Sequence, residues 1–477
     1  MVDSSTTRDD PERAPLLSRD GPVRRTPLPF RQISILLFLN FCEFTARYSV
    51  LPFLNELLLS LNGGDETTVP YYASIMEAGR RASFLVMIMY WGRISDYLGR
   101  KPILLLSCAA VGSSIFLVGI STSFWMLVVS RCISGGLSSN AGIIKTAIGE
   151  MTDDTNRADA FALLNVPWSM GMSIGPLIGG WLSNPQRNFP RMFSGKLWGD
   201  FPYLLPCATI ALATFIAFLV ASFHFRETLP HKSNSPTSVE STQTAAQVQK
   251  PPPLRALLTR RVLLSVSVYA AIDFVTMAFL SIQPLFLAMP IRVGGLALEP
   301  TKIGSILGFF GLCDAVMGAF ILGPLVRRFG LRKVLRFASS ASIPIFLLYP
   351  LMNICAKEWQ VHHHTKPRVI MYILLAIQLV LLFLLNLGYG CVLLFITSSA
   401  PNRRSLGSVN GIAQSVVAVT RLSGPTFGTV ILGLSIEKGW MGGYAVYFVS
   451  SFVAVGGVLL TGMLPKNAWE AENPEGS

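Results

Sequence analysis

Twelve apolar blocks, at about 31–56, 71–91, 102–121, 124–145, 158–182, 203–225, 262–289, 302–324, 334–355, 368–396, 409–436 and 444–464, dominate the sequence. Each has the length of roughly twenty residues that an α-helix needs to cross a hydrocarbon core about 30 Å thick. No water inside such a core satisfies backbone N–H and C=O groups, so a block that spans it must bond to itself as a helix. Charged residues make up only 14% of the 477, against about 25% in soluble domains, too few to cover this much apolar surface. The sequence therefore predicts an all-α membrane protein with twelve transmembrane helices.

The formal charge of +13 raises nucleic acid as a partner, and the placement of the 39 Lys and Arg residues argues against it. They gather in the tails and loops of one side. Arg8, Arg13, Arg19, Arg24, Arg25 and Arg31 stand at or before the first block, and more basic residues run from Arg226 to Arg261. The first loop of the other side, around Gly63-Gly64-Asp65-Glu66, carries none. Basic loops stay cytosolic, and an even number of spans returns the chain to its starting side, so both termini are expected in the cytosol. No Arg-rich motif interleaved with aromatics argues for RNA or DNA; the charge reads as orientation and attraction to anionic lipid. The seven cysteines, at 42, 108, 132, 207, 313, 355 and 391, fall in or beside spans, which argues against a disulfide scaffold. Residues 1–30 hold no apolar stretch of signal-peptide type, so the first span is expected to act as the insertion signal.

Residues 231–253 (HKSNSPTSVESTQTAAQVQKPPP) are rich in Ser, Thr, Gln and Pro and have no apolar surface to bury, so they read as a disordered linker. The expected organisation is a cytosolic tail over 1–30, a six-helix bundle over 31–225, a cytosolic linker over 226–261, a second six-helix bundle over 262–464 and a tail over 465–477. Two repeats support the division. GRISDYLGRK at 92–101 and GPLVRRFGLRK at 323–333 follow the second span of each half, with Gly92 to Gly323 and Gly99 to Gly330 both shifted by 231 residues. Gly175-Pro176-x-x-Gly179 in span five recurs as Gly424-Pro425-x-x-Gly428 in span eleven. Parallel six-helix repeats are a transporter plan.

Gly92, Asp96, Gly99, Arg100 and Lys101 form a Gly-x-x-x-Asp-x-x-Gly-Arg-Lys pattern that resembles motif A of the major facilitator superfamily. Ser130-Arg131 followed by Gly135 resembles motif B, and Gly171, Gly175, Pro176, Gly179 and Gly180 resemble motif C of the superfamily's proton-coupled antiporters. Over 29–56, 71–102, 129–180 and 396–428 the chain is similar to the drug:proton antiporter branch, which includes fungal multidrug and secondary-metabolite transporters and plant zinc-induced facilitator-like proteins. Glu43, Glu77, Asn140, Gly142, Lys145, Gly149, Glu150, Asn156, Asn410, Gly411, Gln414 and Arg421 stand where that branch expects them. The resemblance implies the major facilitator fold, two pseudo-symmetric six-helix bundles working by alternating access. Two positions depart from it: Tyr97 replaces a base of motif A, and Arg80-Arg81 puts two charges into span two, which leaves the charge of the substrate open.

An ionisable side chain in hydrocarbon costs about 2.5–3.5 kcal/mol even on the permissive insertion scale, so each needs a partner, a wet cavity or a task. Counted at about 1.5 Å per residue, Glu43, Arg131, Asp273 and Arg421 all fall near the middle of the membrane. They are expected to line a central cavity in which Glu43, alone or with Asp273, alternates between binding a proton and interacting with substrate. Desolvation favours the neutral carboxyl and a neighbouring Arg the ionised one, so opening the cavity to either side switches its protonation. The alternative for Glu43 is a local ion pair with Arg47 one turn on. Arg131 either holds the span-four side of the site or packs against carbonyls. Asp314 is either functional or satisfied by nearby polar groups, and Glu77, Arg80 and Arg81 either join the pathway or form a self-contained network. Gly175-Pro176 with Gly179 and Gly180, and Gly424-Pro425, are hinge or contact points. Asp96, Arg100 and Lys101 are expected to latch other cytosolic helix ends in the outward-facing conformer. His362-His363-His364 has no accompanying ligand cluster and reads as a solvated loop rather than a metal site. Glu12, Leu16 and Leu17 resemble an acidic dileucine sorting signal for the vacuole.

The expected function is proton-coupled export of small organic molecules, drugs or secondary metabolites, with the proton gradient as driving force and no cofactor or metal. No phosphate-binding Gly-rich loop ending in Gly-Lys-Ser/Thr supports ATP-driven pumping, and no metal-ligand or nucleophile-base constellation in the spans argues for an enzyme. The alternatives are a facilitative or symport carrier of a nutrient, metal complex or organic anion, which five intramembrane Arg make plausible, and a membrane sensor that binds a solute without moving it. The expected partners are a small-molecule substrate, protons and the lipid bilayer, with no nucleic acid, for a monomer in the vacuolar or plasma membrane.

Overall fold

The computed structural model describes residues 26–138, 140–153, 156, 160–161, 163–228, 258–363, 365–399 and 406–465. The Arg residues before Thr26, the Glu12–Leu17 motif, the 231–253 linker, His364 and the tail after Pro465 lie outside the described residues.

The described chain is helical: α1 Phe30–Tyr48, α2 Leu54–Leu61, α3 Val69–Leu98, α4 Arg100–Gly119, α5 Phe124–Leu137, α6 Asn140–Met151, α7 Asn165–Leu182, α8 Leu204–His224, α9 Arg260–Ala288, α10 Pro300–Phe329, α11 Leu331–Ser340, α12 Ser342–His362, α13 Thr365–Ser399, α14 Leu406–Glu437 and α15 Ala445–Gly462. Among the described residues they trace twelve rods, because α1 continues into α2, α5 into α6 and α11 into α12. Eight helical stretches are long and apolar enough to cross a membrane by length and composition alone. The helix α3 is not one of them, since Glu77, Arg80 and Arg81 interrupt its apolar run.

Three rods expected as continuous spans are interrupted, the ninth only at Ala341 between α11 and α12. The first helix stops at Tyr48 and resumes at Leu54; Pro52 lies in the gap, where it has no N–H to donate and its ring crowds the preceding turn. The fourth breaks at Ser138 (φ −75°, ψ 102°), and the Trp91 indole N–H donates to the Gly136 carbonyl at 2.6 Å beside the break. Backbone polar groups at membrane depth need such partners.

The repeats of the sequence are repeats of geometry. Gly99 (φ 101°) ends α3 and Gly330 (φ 84°) ends α10, each reversing the chain into the next helix within one residue. Only glycine adopts that left-handed conformation without strain. The Gly-Pro-x-x-Gly motifs each press against the first helix of their own half: Gly175 and Gly179 lie on the Thr45 and Ser49 carbonyls of α1, Gly424 and Gly428 on the Phe274 and Ala278 carbonyls of α9. These glycines are contact points, where the missing Cβ lets backbones touch.

The two halves meet from mid-depth to the end remote from the termini. There Gly180 of α7 packs on Gly304 of α10, Trp181 donates to Ser305 at 3.0 Å, and the Tyr71 hydroxyl donates to Glu437 at 2.7 Å. Two ion pairs, Arg187 with Glu299 and Arg292 with Glu66, close the rim. Toward the end that carries the termini, Gly318 of α10 and Gly411 of α14 have open space where a Cβ would stand. The halves diverge in that direction.

Candidate functional site

Two charged clusters lie at mid-depth, one in each half. In the first, α1 supplies Glu43, buried, whose Oε1 accepts from Arg47 at 3.2 Å and from the Ser138 hydroxyl at 2.5 Å. Its other oxygen, Oε2, is buried and without a hydrogen-bond partner in the structure. The break in the fourth rod is what turns Ser138 toward Glu43. Arg131 of α5 is buried with its Nε equally unpartnered. Glu43, Arg47, Arg80, Arg131 and Ser138 line one small cavity.

Glu77 of α3 accepts from Arg80 through both oxygens, at 3.0 and 2.5 Å, and from Arg81 Nε at 2.7 Å. The fork of a guanidinium matches a carboxylate in this bidentate way. The network is not self-contained: Arg81 also donates to the Arg421 carbonyl on α14, so it bridges the halves.

In the second half Asp273 of α9 is fully buried. It accepts from the Tyr389 hydroxyl at 3.1 Å, Thr420 at 2.7 Å and Arg421 Nε at 3.3 Å, while the Arg421 side chain stays 46% exposed. The structure thus brings Glu43 and Arg131 to one cavity, pairs Asp273 with Arg421, and ties both clusters together through Arg81. Asp314 stands apart on α10, buried and bonded at 3.0 Å by Asn386 of α13. Among the described residues no group of His, Cys, Asp and Glu could hold a metal ion, and His363 serves as the left-handed cap of α12.

The Major Facilitator Superfamily profile matches residues 36–425. The chain belongs to that superfamily. Its members are transporters rather than enzymes, and this facilitator is similar over nearly its full length to curated ones. Protein ZINC INDUCED FACILITATOR-LIKE 1 of Arabidopsis thaliana is 26% identical, over 92% of this chain and 92% of its own. Efflux pump azaK of Aspergillus niger is 25% identical, over 94% and 92%. Among solved structures, a bacterial homolog of the human lysosomal transporter Spinster, in an inward-facing and occupied conformation, superposes with a TM-score of 0.66 at 14% identity, over 92% of this chain and 97% of its own. That likeness establishes the fold.

In this facilitator the motif A residues are held within the first half. Arg100 pairs with Asp96 at 2.6 Å and with Glu150 at 2.9 Å, and Lys101 Nζ donates to the Ser222 carbonyl at 2.7 Å. The Glu227 carboxylate accepts from the backbone N–H groups of Arg100 and Lys101 at 2.7 and 3.0 Å, capping α4 from the start of the interdomain segment. Tyr97 is 87% exposed. Gly92 lies inside α3, and the side-chain surroundings of Gly92, Asn140 and Asn410 lie outside the described ones. Sequence reasoning missed Ser138, Tyr389, Thr420 and Glu227. Each is an ordinary polar residue whose role depends on which helix faces it, and no spacing signals that.

Proposed function

We propose that this facilitator is a proton-coupled exporter of small organic molecules, with both termini in the cytosol and the vacuolar or plasma membrane as its site of action. It works as a monomer by alternating access, without cofactor or metal. The observation that carries the reading is the Glu43 carboxyl, buried at mid-depth with one oxygen held and the other unpartnered. A bare anionic oxygen away from water is costly, and a proton relieves that cost. Glu43 takes up a proton on one side of the transport cycle and gives it up on the other, with Arg47 at 3.2 Å as its charged neighbour. Solute and proton then occupy the site in turn, and Asp273 with Arg421 forms the matching wall of the other half. The Aspergillus niger relative, an efflux pump, supports the direction.

One observation favours a second reading. Arg47, Arg81 and Arg421 remain 35%, 21% and 46% exposed at the clusters, which suits an organic anion. An anion competes with Glu43 for Arg47 and so binds together with the proton, making the carrier a symporter. Purified protein in vesicles with a lumenal pH dye, challenged with cationic, zwitterionic and anionic solutes, separates the two by the direction of proton flow relative to solute. Glu43→Gln is expected to abolish solute-evoked proton movement at unchanged protein level. Proton movement and solute flux that both survive the substitution would reduce Glu43 to a structural partner of Arg47.

A further inference from the structure

The turn that links α10 to α11 repeats the motif A turn with its charge inverted. Under the 231-residue shift, Asp96 corresponds to Arg327 and Tyr97 to Arg328. In the first half the bases of the turn meet carboxylates: Arg100 pairs with Asp96 and Glu150, and Glu227 caps the helix. In the second half Arg327, Arg328, Arg332, Lys333 and Arg336 follow within ten residues, and none of the five makes an ion pair with a carboxylate in the described structure. Arg332 is occupied by the Gly462 carbonyl, whereas Arg327, Arg328, Lys333 and Arg336 are exposed.

Two large apolar side chains accompany these bases. Phe329 and Phe337 are 51% and 61% exposed, and the Arg328 guanidinium sits 5.5 Å over the Phe329 ring. The helix α11 buries Leu331, Val334, Leu335 and Ala338 against the bundle, so Lys333, Arg336 and Phe337 lie on its outer face. This corner stands at the end of the bundle that carries the termini, at the level of lipid headgroups. Exposed cations beside exposed aromatics at that level match a surface that is anionic above and apolar below.

We propose that the α10–α11 corner is a binding site for anionic phospholipid of the cytosolic leaflet, with Arg327, Arg328, Lys333 and Arg336 on the headgroup phosphate and Phe329 and Phe337 at the acyl boundary. The occupied site anchors α10, the helix whose other end closes on α7, so lipid charge sets how readily the halves exchange conformations. The assignment is independent of the solute and of proton coupling, and takes from the proposed function only the side on which this corner lies.

The test uses the full chain in nanodiscs of phosphatidylcholine with and without phosphatidylserine, with retained lipid counted by native mass spectrometry. Wild type is expected to retain phosphatidylserine over phosphatidylcholine. The variant Arg327→Gln, Arg328→Gln, Lys333→Gln, Arg336→Gln is expected to lose that preference, by about fivefold for each exposed base. Arg226→Gln with Arg260→Gln, which removes exposed charge elsewhere at the same end, is expected to leave it intact. Equal retention by wild type and the fourfold variant overturns the site. Displacement of the retained lipid by inorganic phosphate at millimolar concentration also overturns it, because the site would then be one for a soluble anion. Should the fourfold variant fail to fold, Phe329→Ser with Phe337→Ser must weaken retention while leaving the charge in place, and unchanged retention there rejects the proposal.

Discussion

Glu77 holds two guanidiniums at once, so neutralising it is expected to be the most damaging single change in the membrane-embedded charge network. Removing one partner of a buried pair costs about 3–5 kcal/mol because the other charge is stranded, and Glu77 is the carboxylate to which Arg80 hydrogen-bonds, through both oxygens. Glu77→Gln should sharply lower folded yield and melting temperature in detergent, whereas Asp314→Asn keeps its amide partner Asn386 and should stay within about 1 kcal/mol of wild type. A thermal-shift comparison of the two variants decides the order. The carboxylates and Arg residues themselves were legible in the sequence, because a charge inside an apolar block is expensive and stands out. Their partners were not. Ser138 reaches Glu43 only because the fourth rod breaks there, and Tyr389 and Thr420 reach Asp273 only because α13 and α14 turn those faces inward.

At the scale of elements, helix approach is governed by glycines whose Cβ has no room. Gly180→Ala would overlap the Pro300 carbonyl, and Gly304→Ala the Pro176 carbonyl, so either should push the halves apart at the closed end. Spin labels at Glu66 and Arg292 are expected to report longer distances in these variants and an unchanged one in Gly411→Ala, which meets open space. The rim ion pairs add little to this closure, since exposed pairs contribute about 0–1 kcal/mol each. The rods were legible from hydropathy, and the paired Gly-Pro-x-x-Gly motifs from the repeat. That they press on α1 and α9 was not, because which backbone a small residue meets depends on the helix that faces it. Pro52 did mark its break, yet the apolar run on both sides of it concealed the interruption.

For the whole molecule, the two halves touch from mid-depth outward, and Asp96, Arg100 and Lys101 make their contacts within the first half. A latch on the opposite conformer would engage only when the terminal ends converge. Asp96→Asn should therefore change turnover severalfold while leaving the ranking of solutes untouched, checked by initial rates over a solute panel; unchanged turnover would count against the latch. Two bundles around a charged centre were legible from the repeat and from the carboxylates it brings into near-register, Glu43 and Asp273. Which conformer the chain adopts was not, since that balance depends on contacts between surfaces that no local pattern encodes. The central claim is that a proton gradient drives solute through this centre, and the most direct measurement imposes a pH gradient on proteoliposomes holding equal solute on both sides. The account predicts solute accumulation on the acidic side, lost when an ionophore collapses the gradient and absent in Glu43→Gln. Solute that stays equally distributed whatever the gradient would contradict it and leave a facilitative carrier.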